Sequence, residues 1–130
     1  MAVEMVGRTL VVVHGATHPS DADWEIYLEA LRRNKDVIEA QLIVTDGGSP
    51  NSAQRRASLD VAAGGPVPPT AVVTSSVLAR GVVAALSWFM KDRILAFRPN
   101  EFDDACAFIG ATAEKSVLRD TVARLRATVT

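Results

Sequence analysis

The polar residues best suited to bind or transform a ligand directly follow three short apolar runs of the sequence. These runs are rich in β-branched residues and do not alternate with polar ones, which is typical of strands that a parallel sheet buries on both faces. Ligands of such sheets bind beyond the carboxyl ends of the strands, near the point where the strand order reverses. We therefore predict one binding edge, formed by His14, Gly15, Thr45, Asp46, Gly47, Gly48, Ser49, Asn51, Thr74, Ser75 and Ser76.

Three kinds of chemistry fit the side chains of this predicted edge. His14 with a serine and Asp46 supplies the parts of a hydrolase triad, but no serine stands in the G-x-S-x-G pattern of that fold. Asp46 after a strand could accept a phosphoryl group, as in response regulators, yet the second acid and the late lysine of those proteins are not evident. A small anion or a nucleotide is the alternative that stays open, because two of the loops precede helix N-termini with free N–H groups.

Motifs for metals and cofactors are missing from the sequence. Two histidines and one cysteine without paired spacing argue against a structural zinc site. Neither the phosphate-binding pattern G-x-x-x-x-G-K-[ST] nor the dinucleotide pattern G-x-G-x-x-G occurs. We therefore predict no catalytic residues, no metal and no cofactor.

Charge and cysteine content bear on partners and compartment. Fourteen Lys+Arg against fifteen Asp+Glu give a net charge of −1, which predicts no general affinity for nucleic acid. The single cysteine, Cys106, falls on a predicted apolar helix face, so we interpret it as a buried structural thiol. The longest apolar stretches, Leu10–Val13 and Val82–Leu86, are too short to span a bilayer. These features predict a cytoplasmic protein without a membrane span.

The order of apolar runs and helical segments predicts the fold class. Four runs are predicted as strands: residues 10–13, 42–44, 71–73 and 94–97. Segments with helical spacing or capping residues separate the runs, and two more follow the last one. This alternation predicts an α/β fold, a single domain over residues 1–130 with a four-stranded, mostly parallel sheet and helices on both faces. Residues 2–7 predict an extra short strand before the first run.

Local signals predict where the helices begin and which residues face the sheet. Ser20 is predicted to cap the first helix, and Ser49, followed by Pro50, to cap the second. The stripe of the third helix that is expected to face the sheet consists of Leu78, Val82, Ala85, Leu86 and Phe89. The stripe of the last helix consists of Leu118, Val122, Leu125 and Val129, and either covers the sheet or contacts a second subunit.

Trp88 lies one position off the stripe of the third helix, in a chain with only 5% aromatic residues. It either packs against the next strand or anchors a protein partner, because exposed tryptophans are frequent hot spots of interfaces.

The order and lengths of the elements over roughly residues 8–112 resemble the STAS / SpoIIAA-like fold of anti-sigma-factor antagonists and related bacterial regulatory modules. The likeness is closest to members with a T-D-G-G-x-P-N turn and a late W-F pair, matched here by Thr45–Asn51 and by Trp88 with Phe89. The resemblance implies a non-enzymatic signalling module that binds a protein partner: a kinase, an anti-sigma factor or another signalling protein. Pairing of two copies stays open as a further expectation.

The resemblance also implies a phosphorylation site at the start of a helix. In such modules a partner kinase phosphorylates a serine or threonine there, and the phosphate controls binding; the positions most like it are Ser49 and, second, Ser52. The antagonists usually place an aspartate directly before that serine, whereas two glycines separate Asp46 from Ser49. A phosphate would add about −2 charge to the surface, within reach of Arg55 and Arg56.

Overall fold

A five-stranded sheet covered by helices forms the protein in the computed structural model, which describes residues 1–62, 65, 67–89 and 91–129. The strands are β1 (Ala2–Val6), β2 (Thr9–His14), β3 (Ala40–Thr45), β4 (Thr70–Thr74) and β5 (Ile94–Phe97). The helices are α1 (Asp21–Arg33), α2 (Ser52–Val61), α3 (Val77–Phe89), α4 (Phe102–Phe108) and α5 (Lys115–Arg126). Short 3₁₀ turns, Pro99–Glu101 and Thr112–Glu114, lead into α4 and α5.

The strand order follows the chain order, β1-β2-β3-β4-β5. β1 pairs antiparallel with β2, and the other neighbours are parallel. The predicted α/β class is confirmed, and so is the extra N-terminal strand. Each crossover between the parallel strands steps in the same direction, so the order of the five described strands does not reverse, and right-handed connections keep α1, α2 and α3 on one face of the sheet.

α4 and α5 cover the opposite face of the sheet. Their buried residues pack on the inward side chains of β2, β3 and β4 in one core cluster: Val11, Val13, Ala40, Leu42, Val44, Ala71, Val73, Ala105, Cys106, Ile109, Ala111, Leu118, Val122 and Leu125. The predicted stripe of the last helix therefore covers the sheet. Cys106 is fully buried, as predicted, and burial, with the nearby Asp103 carboxylate, raises the pKa of its thiol.

α1 and α2 lie over the other face, where the packing includes polar groups. Trp24, Tyr27 and Leu28 of α1 form a second cluster with Leu10 and Val12 of β2, as the spacing predicts. Ser20 accepts a hydrogen bond from the backbone N–H of Asp23 and caps α1, also as predicted. The helix that follows β3 differs from its prediction.

α2 begins at Ser52 rather than at Pro50, and its N-cap is Asn51 rather than Ser49. The Asn51 side chain accepts from the backbone N–H of Gln54, and the Gln54 side chain accepts from the backbone N–H of Asn51. This reciprocal capping box satisfies two free N–H groups at once, which a Ser–Pro start would not do. Ser49 therefore lies in the loop before the cap.

α3 is turned the other way from its prediction. Val83 and Ser87 are its buried residues, whereas Leu78 and Val82 of the predicted inward stripe are exposed. Ala85 is exposed as well, and Leu86 is half-buried. The side chain of Phe89 lies outside the described residues. The error has a physical reason: α3 is apolar on all sides, so its periodicity does not fix which face packs on the sheet.

Candidate functional site

The loop after β3 forms a tight turn that holds the predicted edge together. The buried Thr45 hydroxyl donates to the carbonyl of Gly48 at 2.5 Å and accepts from the N–H of Gly47 at 3.1 Å. Gly47 has a φ of +127°, a conformation that favours glycine. A side chain on Gly48 would lie 2.2 Å from the carbonyl oxygen of Thr17, so the loops after β2 and β3 pack backbone to backbone.

His14 is not part of an accessible edge. It is 3% exposed, and its ring stacks on the indole of Trp24 with 6.3 Å between the centroids. Burial lowers the pKa of His14 to about 4, the positive N-terminal amine adds to that shift, and Asp23 opposes it. Its Nδ1 atom has no hydrogen-bond partner in the part of the chain that the structure describes. His14 is therefore a neutral packing residue at neutral pH.

Asp46 is exposed and pairs with an arginine that the sequence did not indicate. Arg126 of α5 reaches the Asp46 carboxylate with two nitrogens: Nε donates to Oδ2 at 3.1 Å, and Nη2 donates to Oδ1. This fork ties the loop after β3 to the last helix, 80 positions further along the chain. Asp46 is thus already engaged as an ion-pair partner, and contacts His14 in none of the described hydrogen bonds or ion pairs.

A cavity of about 410 Å³ opens beside this ion pair, at the carboxyl ends of β3 and β4. Its apolar walls include Val44, Val73, Phe102 and Val122. Its polar lining includes Thr45, Asp46, Thr74, Ser75, Arg119 and Arg126. The sequence predicts the strand-end residues of this cavity but neither arginine, because only the docking of α5 brings the arginines to the edge. Their one sequence signal is the seven-residue spacing, which places Arg119 and Arg126 on one side of a helix.

Both arginines keep donor capacity beyond the pairs they form. The Arg119 guanidinium donates to Asp103 at 2.7 Å and lies 5.2 Å from the ring centroid of Phe102. An arginine has five N–H donors, and the described bonds use only some of them. The cavity therefore combines an apolar wall with cationic donors, which suits a small organic anion.

The two candidate phosphorylation sites both lie on the surface before or at the start of α2. Ser49 is exposed, and its backbone N–H donates to Nδ1 of His18 at 3.1 Å. Ser52 is exposed and is the first residue of α2, and its hydroxyl accepts from Nη2 of Arg55 at 3.2 Å. No acidic residue stands in the first turn of α2. Of the two serines, Ser52 thus has the helix start and the guanidinium that a phosphate would need.

Ser75 and Ser76 connect β4 to α3. The hydroxyl of Ser76 accepts from the backbone N–H of Ala79 and caps the helix, and its own N–H donates to Thr74 Oγ1, each at 3.1 Å. Ser75 is exposed and lines the cavity. Arg80, one turn on, points back to the carbonyls of Thr74 and Ser75 at 3.4 and 3.5 Å.

The predicted anchor Trp88 lies on the outward face of α3 and is 81% exposed. It shares that face with Val77, Leu78 and Val82, which are 75%, 79% and 47% exposed. The α3 face, defined here as the outward side of Val77–Trp88, collects four of the largest exposed apolar side chains of the described chain. It is separate from the cavity, because α3 packs on β4 and β5 from the side opposite α4 and α5.

No helix in the described ranges is long and apolar enough to cross a membrane. No group of three or more histidine, cysteine, aspartate and glutamate side chains in the same ranges could hold a metal ion.

Comparisons with protein-family models, with curated proteins and with solved structures found no match.

Proposed function

We propose that the protein is a non-enzymatic, protein-binding regulatory module of the STAS / SpoIIAA-like type, controlled by phosphorylation at the start of α2. The observation that carries this proposal is the α3 face. Water-exposed apolar side chains gathered on one helix mark a surface for a protein partner, whereas single scattered ones need no explanation. An exposed tryptophan at one end supplies the anchor that such interfaces favour.

The order of the strands supports the same type of module. β2 to β5, with a helix between each strand and the next, follow the alternation of strands and helices on which the resemblance over residues 8–112 rests. The two side chains that could have served a hydrolase triad or a phosphoryl acceptor, His14 and Asp46, have structural roles. His14 stacks inside the core, and Asp46 pairs with Arg126.

Phosphorylation of Ser52 is the proposed control, with Ser49 as the second site. A phosphate on Ser52 would sit at a helix N-terminus, where free N–H groups and the helix dipole stabilise negative charge. Arg55 already contacts the Ser52 hydroxyl and would pair with the phosphate oxygens. The added charge of about −2 would then change which protein surface can approach the loop between β3 and α2.

A photo-crosslinking amino acid in place of Leu78 tests protein binding in cells that express the chain. The matched control replaces Asp120, an exposed residue of α5. We expect a covalent adduct with a protein through position 78 and none through position 120. Equal crosslinking at the two positions, or none at either, would contradict the proposal.

Intact-mass analysis tests the control by phosphorylation. The wild type, Ser52→Ala and Ser49→Ala are purified from the same cells and compared. We expect one phosphate on the wild type that Ser52→Ala lacks and Ser49→Ala retains. A phosphate that survives both substitutions, or none on the wild type, would remove these serines as the switch.

The cavity beside Asp46 favours a second candidate function, the binding of a small organic anion. It is carried by one observation: Arg119 and Arg126 line an opening with an apolar wall. Thermal unfolding in the presence of small aliphatic carboxylates and phosphate esters is the test, with Arg126→Gln and the outward-facing Arg33→Gln as a matched pair. Stabilisation that Arg126→Gln alone abolishes would support this function, and no stabilisation by any anion would dismiss it.

A further inference from the structure

α3 is the least polar helix surface that the structure leaves in water. Of its 13 residues only Arg80 is charged, and that side chain folds back to backbone carbonyls at the start of the helix. The outward side carries no charge at all: its exposed residues are Val77, Leu78, Gly81, Val82, Ala84, Ala85 and Trp88. A helix whose solvent side lacks polar residues is normally covered by another element.

The sizes of these outward side chains vary along the helix. Large residues stand at the two ends, Val77 and Leu78 at one and Trp88 at the other, about 16 Å apart along the axis. Small residues, Gly81, Ala84 and Ala85, stand between them, with the partly exposed Val82 beside them. The α3 face is thus a shallow saddle with a raised rim at each end.

Gly81 is a second, independent sign that another backbone comes close. Glycine in the middle of a helix is destabilising relative to alanine, because it loses more conformational freedom on folding. A Cβ atom on Gly81 would have no atom of the described residues within 4 Å, so no contact among them requires glycine there. Close approach of a second helix is one physical reason for a residue without a side chain at this position.

We infer that the partner seated on the α3 face is a second copy of this chain, with the two α3 helices antiparallel across a two-fold axis that passes between Gly81 and Ala85. This inference rests on the proposed function and names its partner. In this arrangement Leu78 of one copy lies beside Trp88 of the other, and Gly81 lies beside Ala85. The small residues at the two centres then meet where the helices approach most closely, and the large residues at the ends pack against each other, with every contact made twice, as in an isologous interface.

The absence of charge permits a second copy and argues against a lipid surface. A two-fold axis places each surface against itself, so a charged face would repel its copy, and this face has no charge to do so. Helices that lie on membranes instead carry lysine and arginine along the polar flank. α3 has no lysine, and its one arginine is committed to its own backbone.

The area suits a modest dimer. Exposed apolar patches on monomers reach roughly 300–600 Å², and four large side chains between 47% and 81% exposed place the α3 face at the upper end of that range. A stable interface buries roughly 800 Å² from each partner, so the helix pair would supply its apolar centre and neighbouring segments its rim. We therefore expect a dimer that forms reversibly as the protein concentration rises, rather than an obligate one.

Sedimentation velocity over a wide range of concentration tests the pairing. The wild type should pass from monomer to dimer with rising concentration, and Leu78→Asp should stay monomeric at all concentrations. The matched control, Val117→Asp, places the same charge on an exposed valine of α5 and should dimerise like the wild type. Circular dichroism of both variants should equal that of the wild type, since both positions are exposed.

Cysteine crosslinking tests the direction of pairing. The double variant Leu78→Cys/Trp88→Cys should form a disulfide-linked dimer on oxidation, and each single variant should not. Dimers linked through position 78 alone would overturn the antiparallel arrangement. A wild type that stays monomeric at hundreds of micromolar would overturn the second copy as the partner. In that case a different protein crosslinked at position 78 would leave the proposed function standing, and binding to vesicles of anionic lipid would overturn both.

Discussion

α5 and α3 have similar lengths and cover opposite faces of one sheet, yet they place their apolar residues in opposite directions. α5 buries Leu118, Val122 and Leu125 and turns charged residues toward water. α3 buries Val83 and the polar Ser87, and leaves Val77, Leu78, Val82 and Trp88 exposed. The side of α5 is therefore complete within one chain, whereas the side of α3 has apolar surface left for association.

The sheet itself shows the same asymmetry. Beneath α4 and α5 the buried strand residues are almost all aliphatic. Beneath α1, α2 and α3 the strands also bury polar side chains: His14, Gln41, Thr45, Thr70 and Thr74. Some of these groups bond to the helices above, as when the Tyr27 hydroxyl donates to Gln41 Oε1 at 2.9 Å. We infer that stability comes mainly from the α4 and α5 side, and that the α1–α3 side is the one adapted to partners.

Replacing one leucine on each helix tests this comparison and should give the largest effect. Leu118→Ala removes a fully buried side chain and should lower the free energy of unfolding by about 3 kcal/mol. Leu78→Ala removes an exposed one and should change it by less than about 0.5 kcal/mol. Urea unfolding at low protein concentration, where the monomer dominates, measures both. Equal losses for the two variants would break the comparison.

The buried histidine predicts an acid sensitivity on the α1 side. Between pH 6.5 and about 4, His14 binds its proton in the unfolded chain and not in the folded one, so stability falls as the pH drops through that window. The full shift amounts to at most about 3 kcal/mol. His14→Phe removes the titrating group and the unpaired Nδ1, and should flatten that part of the pH profile. His18→Gln serves as the control, and a wild-type slope in His14→Phe would refute the assignment.

The cap of α2 should give a smaller effect. Asn51→Ala removes one side of the capping box and should cost about 1 kcal/mol in urea unfolding. Ser49→Ala should cost almost nothing, because the Ser49 hydroxyl is not the cap. The reverse order of the two losses would restore Ser49 as the residue that begins the helix.

The ion pair between the loop after β3 and α5 should give the smallest effect. Asp46→Asn breaks an exposed fork with Arg126 and should cost less than about 1 kcal/mol, decreasing as salt is added. Arg8→Gln, which breaks another exposed pair, is the matched control. A loss that does not depend on salt would mean that the loop is held by something other than this charge pair.

The sequence predicted the parts of this fold in which polar and apolar residues alternate clearly. The stripe of α5 has charged residues beside it, and its direction is right. The apolar stripe predicted for α3 has no charged residues beside it, and the predicted direction of that stripe is wrong. The start of α2 depends on Gln54 reaching back to Asn51. The sequence contains this capping box and the Ser49–Pro50 pattern side by side, and local preferences alone do not decide between them.

Of the residues that line the candidate cavity, the sequence predicts those at the strand ends and not those of α5. Thr45, Asp46 and Ser75 lie at or directly after the carboxyl ends of their strands, which is where ligands of parallel sheets bind. Arg119 and Arg126 reach the same edge because α5 packs on β1 and β2, and that docking depends on contacts far apart in the chain. The mistaken placement of His14 at the open edge has a similar cause, because Trp24 of the next helix covers it.

Quenching of tryptophan fluorescence by iodide tests the coverage of the α3 face most directly. The chain has two tryptophans, Trp24 at 7% exposure and Trp88 at 81%, so the dilute monomer offers one accessible indole and one protected. If two copies pair through α3, quenching should weaken as the protein concentration rises, over the same range in which the sedimentation coefficient increases, and Leu78→Asp should show no change. Quenching that stays constant while the wild type dimerises would place the interface elsewhere and contradict the account.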